Sequence, residues 1–362
     1  MSDPSAMKAS IEQALRQVTD PSTGQDIVTL GYLRHIAYCD GVARVTFGLP
    51  PQHASPDLEE HIREQATATL SRLEGVREVH VEFLAIEAPR PGVLPGVKYA
   101  IAIGAGKGGV GKSTIAVLAA VGLQRLGLRI GLLDADVYGP SLPKLTGTER
   151  AEPLLDDDGR VIPPEFGGIK IMSMGYLIRP DQAVIWRGPM AQKYVKEFLD
   201  RGAWGDLDYL IVDLPPGTGD IPLTLAQTIP LTGAVVVCTP QDVALLDAVR
   251  ALRMYQKLGV EPLGMVENMS YYVCPQCGHR DHIFGRDGVQ RAAAELGVPF
   301  LGGIPLNLAV REFGDAGQPF ANFTQTEPYV RTAIEEFVRR VHEQVQARQR
   351  QRRPLPELRI HG

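Results

Sequence analysis

Two short stretches of this 362-residue chain carry residue types and spacings that could do chemistry. The first is "GAGKGGVGKST", Gly104 to Thr114, where glycines alternate with two lysines, Lys107 and Lys112. Its centre, Gly106-Lys107-Gly108-Gly109-Val110-Gly111-Lys112-Ser113, fits the phosphate-loop pattern G-x-x-x-x-G-K-S. A backbone with so few side chains turns tightly and aims consecutive N–H groups at phosphate oxygens, and a helix that follows adds positive potential from its N-terminus. In that pattern Lys112 reaches the β- and γ-phosphates and the Ser113 hydroxyl ligates magnesium, while Thr114 continues the cradle into the helix.

The second stretch is "YYVCPQCGHRDHIFG", with Cys274 and Cys277 on a knuckle where two thiolates converge on one ion. Two thiolates are half of a tetrahedral site. His279 and His282 are the local candidates for the other half, but they lie closer than ordinary ligand spacing allows. Zinc and iron-sulfur centres both use thiolates, so the residue types leave both open. Cys238, inside the apolar run "AVVVCTP", reads as a small core residue, and Cys39 stands beside a hairpin turn in another part of the chain.

Three carboxylates complete the picture. "LLDADVYGPS" places Asp134 and Asp136, and "YLIVDLPPGTGD" places Asp213, at the ends of apolar runs. At the C-terminal ends of parallel strands such carboxylates lie beside a phosphate loop. One aspartate there is usually a cap; three beside a phosphate loop read as a site.

The elements that must position these residues follow from the hydrophobic pattern. "YAIAIG", "RIGLLD", "YLIVDLP", "AVVVCTP" and "LGMVENM" are short, apolar and rich in β-branched residues, as parallel strands buried on both faces are, and helical stretches separate them. An α/β fold is expected from residue 97 to 345: a mostly parallel sheet flanked by helices. Its last helix carries Val330, Ile334, Phe337, Val338, Val341 and Val345 on one face. The basic residues 346–362 have no apolar period and are expected to be a disordered tail.

Residues 1–85 read as a separate small α+β domain. Met7, Ile11, Leu15 and Val18 recur at helical spacing, two strands flank the turn at Asp40-Gly41, and Ser55-Pro56 starts a second helix with Leu58, Ile62, Ala66, Leu70 and Leu73 on one face. "VREVHVEFL" alternates as a half-buried strand. Residues 86–96 form a proline-rich linker. A formal net charge of -5 argues against a nucleic-acid or anionic-membrane coat. No apolar stretch reaches the roughly 20 residues of a spanning helix, and nothing at "MSDPSAMKAS" has the form of a signal peptide, so a cytoplasmic protein is expected.

Lys107, directly after the first glycine, is not required by an ordinary phosphate loop. It resembles the deviant Walker A lysine of the ParA/MinD and nitrogenase-iron-protein superfamily. That resemblance implies that Lys107 contacts nucleotide phosphate across a dimer interface, that Asp213 holds magnesium through water, and that Asp134 and Asp136 form switch I, with Asp136 activating the attacking water. It also implies switch II at Gly217 to Gly219 and adenine pairing by Asn268.

Taken in order, "GKGGVGKST", "DADVYGPS", "WRGPM", "VDLPPGTGD", "ENMSYYVCPQCG" and "IPLNLAVREFGDAGQP" resemble the Mrp/ApbC family of iron-sulfur cluster carrier ATPases, and the Cys-x-x-Cys separates this branch from division-site and plasmid-partition ATPases. The resemblance implies a homodimeric ATPase using ATP and Mg2+, with catalysis by Lys107, Lys112, Asp136 and Asp213. It further implies a labile iron-sulfur cluster, 4Fe-4S, shared between subunits through Cys274 and Cys277. The implied partners are apo iron-sulfur proteins and assembly scaffold proteins, with neither nucleic acid nor membrane. The alternatives are a ParA/MinD-type nucleotide-switched positioning ATPase and an ATPase whose Cys-x-x-Cys is a structural zinc knuckle. The N-terminal "DPSTGQDIVTLG" resembles a small iron-sulfur-assembly domain, but Ser55 stands where relatives of that domain often have cysteine, which puts a thiol role there in doubt.

Overall fold

The computed structural model describes residues 4–21, 24–30, 32–39, 41–49, 55–84, 94, 96–176 and 188–351. Trp186 and Arg187 of "WRGPM", Asp40, most of the linker, residues 352–362 and the side chain of Cys39 lie outside that description. The chain divides into two compact units, Met1–Arg90 and Pro91–Gly362.

The first unit is α1 (Pro4–Leu15), β1 (Leu33–Cys39), β2 (Val42–Gly48), α2 (Pro56–Leu70) and β3 (Glu78–Leu84). β1 and β2 pair antiparallel, and β3 returns through α2 to lie parallel to β2. Ile11, Leu15, Val45, Phe47, Ile62, Ala66 and Leu70 form its core. Val18 is buried too, but from a loop, because α1 ends three residues earlier. Ser55 caps α2: its side chain accepts from the Leu58 N–H at 3.2 Å. A capping serine contributes about 1 kcal/mol. The residue at the questioned thiol position therefore has a structural job.

The second unit runs β4 (Val97–Ala105), α3 (Lys112–Arg125), β5 (Ile130–Asp134), α4 (Leu142–Thr146), then four short strands, β6 (Leu154–Leu155), β7 (Val161–Ile162), β8 (Glu165–Phe166) and β9 (Ile169–Ser173). There follow α5 (Gly188–Arg201), β10 (Leu207–Asp213), α6 (Asp220–Thr228), β11 (Gly233–Cys238), α7 (Asp242–Lys257) and β12 (Pro262–Asn268). The remainder is β13 (Tyr272–Val273), β14 (Arg280–Asp281), α8 (Gly288–Glu295), β15 (Phe300–Ile304), α9 (Leu308–Asp315) and α10 (Pro328–Gln351).

Eight strands form one sheet in the order β15-β12-β11-β4-β10-β5-β9-β8, parallel throughout except for β8. Alternate residues of β4 serve opposite layers. Ile101 and Ile103 join α3 and α10 in one core, while Ala100 and Ala102 face the core built with α7. Burial on both faces is why these strands read as unbroken apolar runs.

The expected tail needs correction at its start. α10 continues beyond Val345 to Gln351, because its polar side chains find partners on the sheet. Arg348 donates to Pro262 O at 2.6 Å and pairs with Glu261 at 3.2 Å, and Gln346 donates to the Tyr209 hydroxyl.

Candidate nucleotide and cysteine sites

The loop Gly106–Gly111 joins the central strand β4 to α3, so its amides lie over the C-terminal edge of the sheet. Two glycines in it are dictated by packing. A Cβ on Gly106 would lie 2.1 Å from the backbone of Asp247 in α7. Gly111 has φ 83°, and a Cβ there would meet Asn268 Nδ2 at 2.1 Å. Gly108 and Gly109 are exposed, Val110 is buried, and Lys107 is half-buried with no ion pair among the described residues. Lys112, Ser113 and Thr114 form the first turn of α3.

Lys112 is buried, and its Nζ lies 2.6 Å from Asp213 Oδ1, 3.4 Å from Asp136 Oδ2 and 3.3 Å from Ser113 Oγ. Asp213 ends β10 and stands beside Asp134, which ends β5. Asp134 accepts from the Asp136 N–H at 3.1 Å, the Leu142 N–H at 3.2 Å and Ser173 Oγ at 3.0 Å. The structure thus brings all three carboxylates and the lysine together.

Burial pushes the Asp134 carboxyl up to about 8, and the charge of Asp213 adds to the rise. Burial pushes Asp213 in the same direction, against the opposing pull of Lys112. One ammonium serves a pocket lined by three buried carboxyl groups. Among the described residues, Asp213 Oδ2 is buried with no hydrogen-bond partner. An oxygen-lined corner with a spare carboxylate oxygen beside a serine hydroxyl has the donor set that Mg2+ takes with its waters.

Asn268 ends β12 and donates from Nδ2 to the Val110 carbonyl at 2.8 Å, bracing the loop from behind. Gly217 opens the segment after β10 with φ 95° and donates to Ala105 O at 2.8 Å.

The cysteines lie on a small ribbon. β13 and β14 pair through only Tyr272↔Asp281 and Val273↔Arg280, and the intervening turn is closed by Cys274 N–H to His279 O and Gly278 N–H to Cys274 O, each 2.9 Å. Residues 275–281 are exposed, Cys277 among them, and Cys274 is half-buried. Backbone N–H groups of Cys277 and Gln276 point at the Cys274 sulfur and hold its thiol below the ordinary value. A lowered pKa favours the thiolate, the form that binds metal.

No group of three His, Cys, Asp or Glu that could hold a metal occurs among the described residues. His282 turns away to the base of the ribbon, its Nδ1 at 3.2 Å from Ser270 O. Cys238 is a buried core thiol, pushed up to about 12 by burial.

Sequence reasoning missed Ser173, which braces Asp134 from the unexpected strand β9. It also missed Glu267, buried beside Asn268, which accepts from Ser270 Oγ at 2.5 Å and from the Val289 N–H at 3.0 Å. A charged residue inside the apolar run "GMVEN" was the available signal for Glu267.

A phosphate loop at the sheet's C-terminal edge, with a lysine and strand-end carboxylates converging behind it, defines a P-loop ATPase of the ParA/MinD type. Residues 96–342 match the model of the NUBPL iron-transfer P-loop NTPase family, and residues 8–83 match that of an iron-sulfur cluster assembly protein domain. The chain belongs to the iron-transfer P-loop NTPase family.

It is 46% identical over 314 residues to an iron-sulfur cluster carrier protein of Deinococcus radiodurans, covering 86% of this chain and 89% of that one. It is 48% identical over 255 residues to the iron-sulfur cluster transfer protein NUBPL of Dictyostelium discoideum, covering 70% and 76% respectively. Among solved structures it resembles a nucleotide-binding protein of Archaeoglobus fulgidus in complex with ADP, at 38% identity and TM-score 0.58, over 65% of this chain and 92% of that one. The fold is shared with the cell division ATPase MinD of Pyrococcus furiosus at 20% identity and TM-score 0.51, covering 68% and 98%.

Proposed function

We propose that the chain is an ATP-binding and ATP-hydrolysing carrier that holds a labile 4Fe-4S cluster between two copies of itself and passes it to apo-proteins in the cytoplasm. The observation that carries this reading is the exposed knuckle of Cys274 and Cys277, two thiolate donors with no third or fourth ligand gathered around them among the described residues. Half a site on each subunit makes a whole one at a two-fold axis. The relatives named as carriers support iron-sulfur cargo over zinc.

In this reading the loop from Gly106 to Ser113 cradles the phosphates, and Lys112 exchanges Asp213 for phosphate oxygens. Asp136 then orients water for attack. Asp213 and Ser113 would hold Mg2+, which when bound spreads the charge that develops on the phosphates. Lys107, half-buried in the loop and with no ion pair among the described residues, serves the nucleotide of the facing subunit, and Asn268 the adenine. The linker at 86–96 separates this ATPase domain, 97–345, from the domain of 1–85. Without a thiol at Ser55, that small domain tunes the choice of apo-protein or scaffold partner.

Anaerobic reconstitution followed by iron, sulfide and zinc analysis tests the proposal. Cluster lost on Cys274→Ala is the expected outcome; stoichiometric zinc with no iron binding would replace the carrier with a structural knuckle.

A further inference from the structure

The cysteine ribbon has almost no core of its own. Two residue pairs hold its strands and its tip is exposed, so its orientation is decided at the neck, where the chain enters at Ser270 and leaves at His282. Those two residues are bonded to each other, His282 Nδ1 to Ser270 O at 3.2 Å. Ser270 is held on its other sides too: its N–H donates to Ile304 O at 2.9 Å and its hydroxyl to Glu267 Oε1 at 2.5 Å. A cavity of about 460 Å³ opens beside this neck, lined by Glu267, Ser270, Tyr271, Arg280, His282 and Gly303 among others, which gives the ribbon room to shift.

Two residues upstream of Ser270, the chain touches the phosphate loop. Asn268 donates to Val110 O at 2.8 Å, and Met269 Cε comes within 4.0 Å of where a Cβ on Gly111 would stand. Met269 itself has φ 55°, a conformation an unbranched L-residue adopts only when its surroundings impose it. A loop that reshapes around phosphate therefore pulls on Asn268 and Met269, and the next residue is the neck.

We propose that Ser270 and His282 are positioning residues that clamp the neck of the ribbon, and that through them the state of the phosphate loop sets how Cys274 and Cys277 are presented. The inference rests on the reading of those cysteines as working ligands. The His282 ring is thereby assigned to the clamp and not to a metal.

Alkylation of Cys274 and Cys277 in the metal-free full chain, with and without ATP and Mg2+, tests the clamp separately from the cluster. A missing cluster leaves that readout intact. In the unmodified protein, nucleotide should change the alkylation rate about fivefold or more, the lower end of ordinary coupling between sites. His282→Ala should bring the ratio close to one with ATP affinity unchanged, and His282→Asn, whose amide nitrogen takes the place of Nδ1, should restore it. Ser270→Ala, which removes only the hydroxyl link to Glu267, gives a second variant and should weaken the ratio in the same direction. No nucleotide effect in the unmodified protein, a full effect in His282→Ala, failure of His282→Asn to restore it, or a loss of ATP affinity that parallels the loss of the ratio would each overturn the proposal.

Discussion

Lys112 and Asp213, 101 residues apart in sequence, are joined by a 2.6 Å ion pair in a buried pocket. The pair sets the lysine of the phosphate loop against a strand-end carboxylate. In the proposed nucleotide site, phosphate oxygens would compete with Asp213 for that ammonium.

Lys112→Ala should therefore abolish ATP binding, since phosphate charge would enter a closed site lined by carboxylates with nothing to offset it. Lys107→Ala should spare binding more than hydrolysis, because Lys107 makes no ion pair within its own subunit among the described residues. Isothermal titration and phosphate release on both variants compare them; equal losses of affinity would argue against a role across the dimer.

The same pair predicts how divalent cations behave without nucleotide. The Lys112 ammonium contacts both Asp213 and Asp136 and takes the place a cation would fill, so Mn2+ alone should bind the unmodified protein weakly. In Lys112→Met the carboxylates, with the spare Oδ2 of Asp213, are left uncompensated, and Mn2+ should bind at least about tenfold more tightly, a difference of about 1.4 kcal/mol. Electron paramagnetic resonance of free Mn2+ measures it, and equal binding by both proteins would count against the lysine as a stand-in cation.

Asp134 gives the pH dependence its sign. Its carboxyl is raised from 3.8 to about 8 in the folded protein, so the folded state holds a proton that the unfolded state has released. Stability falls with pH wherever the unfolded state binds fewer protons. This contribution is therefore present below about 4 and lost progressively as pH rises toward about 8. Asp134→Asn removes the titration, and its melting temperature should gain on the unmodified protein across that window. A constant difference from pH 4 to pH 8 would contradict the assignment.

How much of this was legible in the chain depends on where each partner lies. β4, β5, β10, β11 and β12 could be read because burial on both faces demands continuous apolar residues. β15, "FLGGI", escaped because two glycines dilute its pattern, and β9, "IKIMS", because a lysine and a serine interrupt it. The loop lysines and strand-end aspartates were visible as local motifs. Ser173 and the contact from His282 to Ser270 were not, since each is defined by a partner brought near only by the fold, and Glu267 showed only as a charge inside an apolar run. The helical stretch beyond Val345 was hidden by its basic composition, which Glu261 and the Pro262 carbonyl accommodate.

A fragment beginning at Val97 should retain both ATP and cluster binding. Every residue of the nucleotide site and both ribbon cysteines lie in the second compact unit, and the first unit places a capping serine at the questioned thiol position. Fluorescent-nucleotide binding and the visible spectrum of the reconstituted fragment check this. A soluble fragment that binds ATP but holds no cluster would assign the small domain a part in the cluster site.

The most direct measurement is the iron and sulfide content of reconstituted protein, taken with its mass in solution. Each chain presents Cys274 and Cys277 with no further ligands gathered among the described residues, so a four-thiolate cluster needs two chains. The shared-cluster account predicts a dimer carrying about two irons per chain, one 4Fe-4S cluster in all, with Cys274→Ala and Cys277→Ala each losing the iron while still binding ATP. A full cluster on a monomer, or cluster retained by both cysteine variants, would contradict it.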